Sequence, residues 1–273
     1  MAQKLRMLFV KNIKPYENQP PFQELQQVID DLALQGIQSP NDLVDLLQNQ
    51  ETDAGIRYGI ISILGIIKYK LAVPIFLEIA RNEAEDISLR RGSLVYLASL
   101  APKEAYKVLS DLALNNPIDT LRIMAVSLIF FIPTKRCLNL FLKLMQSDRN
   151  EIVRANAARS IGLMTRRDKA IAIQPLLTTL NNQRESPNVR AYAAEALGFI
   201  RDESAIDSLV RFLADPSPSV RYMCAYALGE LRDGNYLQAL EALLKDDAVF
   251  ESWGTVAEAA KEAIEHLTRT CPV

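Results

Sequence analysis

Apolar and polar positions recur along this chain with a long period, and each period opens with an apolar residue followed by arginine. After the arginine comes a run of small and aliphatic residues that often ends in Leu-Gly, as in Val189-Arg-Ala-Tyr-Ala-Ala-Glu-Ala-Leu-Gly198. The repeat arginines are Arg57, Arg90, Arg122, Arg154, Arg190 and Arg221, at spacings of 33, 32, 32, 36 and 31 residues. Two helices of about 12 residues with their turns need this length, so the pattern predicts a stack of helix pairs.

A second apolar pattern follows each of these segments and predicts the second helix of the pair. Its apolar second, fifth, eighth and ninth places form one helical face, as in Ala205-Ile-Asp-Ser-Leu-Val-Arg-Phe-Leu213. Small residues recur near the end of the first helix, where we expect them to let the two helices of one repeat approach closely. These residues are Gly65, Ala98, Gly162, Gly198 and Gly229. Prolines mark the turns between repeats, at Pro117, Pro187, Pro216 and Pro218.

The pattern predicts an all-α protein, a right-handed α-solenoid of antiparallel helix pairs. We expect six clear pairs, a degenerate seventh in which Ala257 replaces the arginine, and an N-terminal helical cap. Residues 1–51 do not match the repeat and are predicted to form an arm and this cap, in which Ser39-Pro40 opens a helix. Residues 52–273 are predicted to form the solenoid, with repeats near 52–82, 84–115, 117–146, 149–182, 186–215, 217–247 and 249–269.

The two helices of the repeat, Val-Arg-x-x-Ala-Ala-x-Ala-Leu-Gly and Ala-Ile-x-x-Leu-x-x-Leu-Leu, resemble the HEAT-like repeats named after phycobilisome lyases, over about residues 52–269. The resemblance implies a HEAT-type solenoid. The functions found in that group are E/F-type phycobilin lyases, phycobilisome degradation, iron–sulfur-related interaction and adaptor roles. E/F-type lyases carry tandem Tyr and Trp in an early repeat. The corresponding stretch here, residues 56–65, departs from that pattern with one Tyr and no Trp.

Composition excludes several chemistries. The net charge of −2 selects neither nucleic acid nor membrane, and no apolar run of about 20 residues is present to span a bilayer. The three cysteines are widely spaced without a CxxC motif, which predicts neither disulfides nor zinc and favours a reducing, cytoplasmic location.

Cys137 and Cys224 are predicted to be small buried residues, whereas Cys271 is expected to be exposed. The single histidine, His266, offers no catalytic triad, so we predict no catalytic residue, metal site or cofactor.

The six repeat arginines are predicted to be structural. We expect each guanidinium to bridge neighbouring repeats through carboxylates or helix-end carbonyls, since a binding site does not need one arginine in every repeat. The only tryptophan, Trp253, precedes the degenerate repeat. It is predicted to plug the end of the stack, although tryptophan is also common at binding hot spots.

Loops within successive repeats should stack along one edge, and the first four of them are rich in cations. This basic edge consists of Lys68, Lys70, Lys103, Lys135, Arg136, Arg166, Arg167 and Lys169, with only Glu104 and Asp168 as acids. By contrast, residues 21–53 carry seven acids and no Lys or Arg. The edge is open to three interpretations, a solvated surface, a site for an acidic protein, and a site for a nucleic-acid backbone. Low total charge and the lack of aromatic residues in these loops argue against nucleic acid.

The second helices are predicted to line a concave groove. Their outward positions are Lys107, Asp111, Asn139, Lys143, Gln174, Thr178, Asp207 and Arg211. This mixed polar surface suits a folded protein or an extended peptide better than an apolar ligand. The leading hypothesis is therefore a non-catalytic scaffold or adaptor that binds an acidic protein through the groove and the basic edge. The alternative is a phycobilin lyase subunit or phycobilin chaperone of the E/F type, for which the ligand would be a bilin.

Overall fold

The computed structural model describes residues 39–132, 137–164, 169–231, 236–251 and 253–268. The helices are α1 (Pro40–Gln48), α2 (Ala54–Ile66), α3 (Val73–Arg81), α4 (Ile87–Leu100), α5 (Pro102–Asn115), α6 (Asp119–Phe130), α7 (Cys137–Ser147), α8 (Glu151–Met164), α9 (Lys169–Asn181), α10 (Pro187–Ile200), α11 (Ile206–Arg211), α12 (Pro218–Leu231), α13 (Leu237–Glu241) and α14 (Val256–Thr268). Short 3-10 segments cover Lys70–Ala72, Glu203–Ala205 and Phe212–Ala214. Two strands, β1 (Val249–Phe250) and β2 (Gly254–Thr255), form an antiparallel hairpin.

The predicted all-α fold of repeated helix pairs is confirmed. The first helices of the pairs are α2, α4, α6, α8, α10 and α12, and each is followed by a second helix, while α14 belongs to the degenerate last repeat. The chain divides into two compact units, residues 1–112 with 131–133 and residues 113–130 with 134–273. The predicted boundary between cap and solenoid after residue 51 stays a prediction, because residues 1–38 lie outside the described ranges. Within those ranges, no helix is long and apolar enough to cross a membrane.

Side-chain caps fix where several helices begin. Ser39 and Asp42 form a reciprocal capping box at the start of α1, with Asp42 N donating to Ser39 Oγ at 3.3 Å and Ser39 N donating to Asp42 Oδ2 at 2.7 Å. This confirms the helix start predicted at Ser39-Pro40. Asp53 caps α2 and Asp86 caps α4 by accepting bonds from first-turn N–H groups. Each such cap stabilises its helix by about 1 kcal/mol.

The first and second helices bury different shares of their surface. The first helix α10 is buried nearly all round, because it packs on α8, α9 and α12. The second helix α3 buries a single face, which consists of Ile75, Phe76, Ile79 and Ala80. This difference follows from the sequence, since the first helices are rich in small and aliphatic residues on every side, while the second helices are amphipathic. The first helices therefore form the centre of each unit.

Small residues let the first helices of successive repeats approach backbone to backbone. If each glycine carried a Cβ, that atom would clash with an alanine Cα in the next first helix. The pairs are Gly162 with Ala196 at 2.4 Å, Gly198 with Ala227 at 2.6 Å, and Gly229 with Ala263 at 2.8 Å. Our prediction that these residues bring together the two helices of one repeat was therefore wrong. The periodicity identified the small face of the helix but not the neighbour that it meets.

We expect Gly198→Ala to lower the free energy of unfolding by about 1–3 kcal/mol, because the added methyl group meets backbone that cannot move aside. Gly92→Ala is the matched control, since a Cβ at Gly92 would meet the end of the exposed Tyr58 side chain at 3.1 Å. Urea unfolding followed by circular dichroism measures both. Equal stability of Gly198→Ala and the parent chain would contradict the close packing of α10 and α12.

Candidate functional site

The repeat arginines form a series of bridges between neighbouring repeats. Arg57 donates to the carbonyl oxygen of Leu47 at 3.1 Å and to both carboxylate oxygens of Glu85 at 2.9 and 2.7 Å. Arg190 pairs with Asp215 at 2.5 Å, and their side chains are only 5% and 2% exposed. The other pairs are Arg122 with Asp148, Arg154 with Glu185, and Arg221 with Asp246. In every case the carboxylate comes from the segment that leads into the next repeat, so each bond ties a first helix to the segment before the next first helix.

Arg90 is the exception among the repeat arginines. It is 4% exposed, yet its guanidinium donates no hydrogen bond to the residues that the structure describes. The sequence explains the difference, because Asn116 stands six residues before the next repeat arginine, where later copies have Asp148 and Asp215. Asn116 therefore offers a neutral amide at the position where the later copies offer a carboxylate. The expectation that every repeat arginine makes a bridge therefore fails at Arg90.

The structure places part of the predicted basic edge. Lys68, Lys70 and Lys103 are exposed, and none forms an ion pair with another described residue. Lys68 lies in the left-handed region with φ 54°, two residues after the end of α2. The remaining members, Lys135, Arg136, Arg166 and Arg167, lie outside the described residues, as does the side chain of Lys169. The basic edge as a whole stays a prediction.

The predicted groove residues all point away from the core. The eight exposed side chains are those of Lys107, Asp111, Asn139, Lys143, Gln174, Thr178, Asp207 and Arg211. Arg211 lies over the ring of Phe212 at 4.9 Å and hydrogen-bonds the side chain of Asn181. Lys107 and Asp111 lie on α5 in the first unit, and the other six form the exposed face of the second helices in the second unit. The role of these residues in binding stays a prediction.

A recess of about 380 Å³ opens beside this face in the second unit, between residues 114–117 and the end of α7. We call it the cationic recess, because Arg122, Lys143 and Arg149 line it with Asp148 as the only carboxylate. Asp148 accepts from Arg122 at 2.9 Å, so these two charges offset one another. Lys143 and Arg149 are exposed, the latter with 64% of its side chain accessible and Asp119 at 3.3 Å. Asp119 also lies 2.9 Å from Arg122, so three cations meet two carboxylates here, and Lys143 supplies the net positive charge that faces solvent.

The β hairpin before α14 was not predicted. Val249 pairs with Thr255 and Phe250 with Gly254, and the φ of 121° at Gly254 favours glycine. The rings of Phe250 and Trp253 lie nearly parallel, with centroids 6.2 Å apart. The Tyr222 hydroxyl donates to the Trp253 carbonyl oxygen at 3.1 Å and so fixes the hairpin on α12.

Arg159 lies beside this hairpin on the first-helix face. Its guanidinium carbon is 5.6 Å from the centre of the Tyr192 ring and 5.4 Å from that of Trp253. It also forms an ion pair with Glu195 at 3.1 Å, and the Glu195 side chain is 2% exposed. Burial raises the pKa of Glu195, while the Arg159 charge opposes that shift. The pair holds Arg159 in place between two aromatic rings.

A second recess, of about 570 Å³, lies between this hairpin and the N-terminal halves of α8, α10 and α12. We call it the hairpin recess. Aromatic side chains from Tyr192, Phe250 and Trp253 line it together with Asn156 and Asn188. Glu151 and Glu251 are exposed at the same recess. Aromatic rings, amides and carboxylates together make a surface that can take both polar and cationic groups.

Sequence reasoning missed Arg159 and Glu195, although a signal was present. The two residues occupy the same place in successive copies of the first helix, five residues after the repeat arginine, where Tyr226 stands in the next copy. Opposite charges at one place in adjacent repeats indicate a bond between the repeats. Trp253, in contrast, was expected to close the end of the stack, and it packs on Tyr222 and Phe250.

The cysteines and the histidine show little sign of reactivity. Cys137 and Cys224 are buried and free, which confirms their prediction as small buried residues. Burial raises the pKa of Cys137 to about 11 and raises that of Cys224 further, so both thiols stay protonated near neutral pH. His266 Nδ1 is 4.0 Å from a carboxylate oxygen of Glu230, with 43% of its side chain accessible. Cys271 lies outside the described residues.

These features define a repeat solenoid of HEAT-like helix pairs, a class that fits a protein-binding role. Residues 173–265 match the family described as HEAT repeats, which confirms the predicted resemblance to HEAT-type repeats. A comparison with curated proteins gave no match.

Solved structures include similar chains. The X-ray structure of the Escherichia coli protein YibA is 17% identical with a TM-score of 0.54, covering 92% of this chain and 98% of that one, and this likeness shows the fold. The complex of CpcE and CpcF of phycocyanin lyase from Nostoc sp. PCC7120 is 20% identical with a TM-score of 0.43, covering 85% and 95%. Human deoxyhypusine hydroxylase in complex with glycerol is 17% identical with a TM-score of 0.40, covering 98% and 96%.

We expect Arg190→Ala to lower the free energy of unfolding by about 3–5 kcal/mol, because it leaves the carboxylate of Asp215 buried without its cation. Arg184→Ala serves as the control, since Arg184 is exposed and forms no ion pair with the described residues. Its effect should stay within about 0.5 kcal/mol. Urea unfolding measures both variants, and a loss as small as that of the control would contradict a structural role for the bridges.

The bridges also predict a pH dependence of stability. The hydrogen bond from Arg57 holds the pKa of Glu85 below its ordinary value of 4.5, although burial opposes the shift. Since the folded state has the lower pKa, this stabilisation is present above the unfolded value and is lost as pH falls through the folded value. Glu85→Gln should therefore be less stable at neutral pH and should lose less stability below about pH 4.5. Urea unfolding across this range measures the change, with the exposed Glu83→Gln as control; parallel curves for Glu85→Gln and the parent chain would contradict it.

Proposed function

We propose that this chain is a non-catalytic scaffold that binds an acidic protein partner through the cationic recess and the exposed face of its second helices. The observation that carries the proposal is the pair of exposed cations at the cationic recess, Lys143 and Arg149. Lys143 is also one of the predicted groove residues, so the recess and the exposed face meet at this side chain.

The repeat bridges separate structural charges from charges that a partner can use. Arg122, the third cation of the recess, is 3% exposed and bound to Asp148, so it supports the fold. Lys143 is exposed on α7 and forms no ion pair with a described residue, whereas Arg149, in the turn after α7, is exposed and pairs with Asp119 at 3.3 Å. Opposite charges on a partner would steer its approach and fix its orientation on the scaffold.

The exposed face extends from the cationic recess along the second helices of the second unit. Gln174 and Thr178 lie on α9, and Asp207 and Arg211 lie on α11. Polar side chains that repeat across successive helices give a broad surface rather than a closed pocket. A broad polar surface favours a folded protein as the partner over a small apolar ligand.

Reversal of the two cations should weaken the complex. The partner is captured from the native cell on the immobilised chain, identified, purified and titrated by calorimetry against the parent chain and its variants. We expect Lys143→Glu with Arg149→Glu to lower the affinity by about tenfold or more, and more so at low salt. The matched control is Arg184→Glu with Lys245→Glu, which makes the same change of charge at exposed positions away from the recess.

The result separates the scaffold from the lyase alternative. Equal affinity of the double reversal and its control would overturn the proposal. A titration with a bilin alone, followed by absorbance, tests the alternative directly. A bilin spectrum that changes on mixing, together with turnover of an apo-phycobiliprotein, would favour a phycobilin lyase subunit or chaperone instead.

A further inference from the structure

The hairpin recess has a chemistry opposite to that of the cationic recess, and it goes beyond the proposed function. We propose that the hairpin recess binds an extended segment of a partner protein that carries lysine or arginine side chains. Its walls come from three successive first helices and the hairpin, all within the second unit. Its volume of about 570 Å³ exceeds the space that a single side chain fills and lies within the range of ligand sites.

Unused hydrogen-bonding groups suit the backbone of an extended peptide. The side chains of Asn156 and Asn188 line the recess, and neither has a hydrogen-bond partner among the described residues. Each amide offers two N–H donors and one carbonyl acceptor, the combination that peptide C=O and N–H groups need. In addition, α10 begins at Pro187 without a side-chain cap, so first-turn N–H groups remain for a carbonyl oxygen of the ligand.

The aromatic wall already accepts a cation. The Arg159 guanidinium lies 5.4 Å from the centre of the Trp253 ring and 5.6 Å from that of Tyr192. The buried Glu195 carboxylate holds that guanidinium by an ion pair at 3.1 Å. The same wall offers Phe250 and Val249 to the methylene groups of a lysine or arginine side chain, which favour apolar surface while the charge stays hydrated.

The charge of the recess decides the class of ligand. Glu151 and Glu251 line it, neither forms an ion pair with a described residue, and no Lys or Arg lies among the lining residues. The N-termini of α8, α10 and α12 oppose this charge, but each carries only about half a unit, screened by solvent. Two full carboxylates therefore dominate, which favours a basic peptide and disfavours a nucleic-acid phosphate.

The single tryptophan of the chain makes the site directly measurable. Trp253 lies in the recess, and its fluorescence reports on this site alone. The probes are three synthetic decapeptides in which alanine alternates with lysine, glutamate or glutamine. We expect the lysine peptide to change the fluorescence with saturation at low salt and the glutamate peptide to leave it unchanged. The glutamine peptide should bind more weakly than the lysine peptide.

Matched variants separate recognition from adsorption. Glu151→Gln with Glu251→Gln should weaken binding of the lysine peptide by about tenfold while leaving the glutamine peptide nearly unaffected. Glu203→Gln with Glu241→Gln removes the same charge from exposed positions outside the recess and should leave both affinities unchanged. Asn188→Ala should weaken both peptides, because it removes a contact to the backbone. Circular dichroism of each variant shows that the helices are retained.

Three outcomes would overturn the inference. The first is fluorescence that does not respond to the lysine peptide, and the second is a glutamate peptide or single-stranded oligonucleotide that binds as well. The third is an equal loss of affinity in the two glutamine double variants, which means adsorption to overall negative charge. Failure here is distinguishable from failure of the scaffold proposal, since Lys143 and Arg149 lie outside this recess.

Discussion

The stack depends on a buried arginine that must find a carboxylate in the segment leading into the next repeat. A guanidinium keeps its charge at all relevant pH values, so burial without an anion is costly and the bond cannot be given up by deprotonation. The two bonds between Arg57 and Glu85, at 2.9 and 2.7 Å, also fix the relative orientation of their repeats. Glycine near the end of the first helix then sets the distance between successive first helices, because the backbone at Gly198 packs directly on the backbone at Ala227. Orientation and distance together determine which side chains of neighbouring first helices meet.

The repeats are not equivalent, because one repeat arginine lacks the carboxylate that the others bind. Asn116 takes the place that Asp148 and Asp215 hold in later copies, and Arg90 is buried without a hydrogen bond to the described residues. The stability of a repeat protein is approximately the sum of the stability of each repeat and of each interface between adjacent repeats. The loss of one bridge therefore weakens one interface and leaves the others unchanged. The series of bridges thus sets local stability as well as geometry.

The fold was predictable because its determinants recur. Arginine, the small residues and the apolar face of the second helix return at a nearly constant period, and chance does not produce such a series. The functional surfaces were less predictable for physical reasons. Arg159 and Glu195 become partners only when successive repeats stack, and the hairpin around Gly254 has two-residue strands, too short for an alternating pattern. The basic edge depends on residues such as Arg166 that the structure does not describe.

The binding that we propose for this chain rests on positions that the repeat does not need. Arg221 satisfies Asp246, and Ala257 then replaces the next repeat arginine, so the segment between them has no further bridge to form. In that segment β1 and β2 pair as a hairpin, which Tyr222 of α12 holds through the Trp253 carbonyl. The hairpin is not part of the bridges, and its carboxylate Glu251 is exposed and forms no ion pair with a described residue. The same separation holds at the cationic recess, where Arg122 supports the fold and Lys143 stays free to meet a partner.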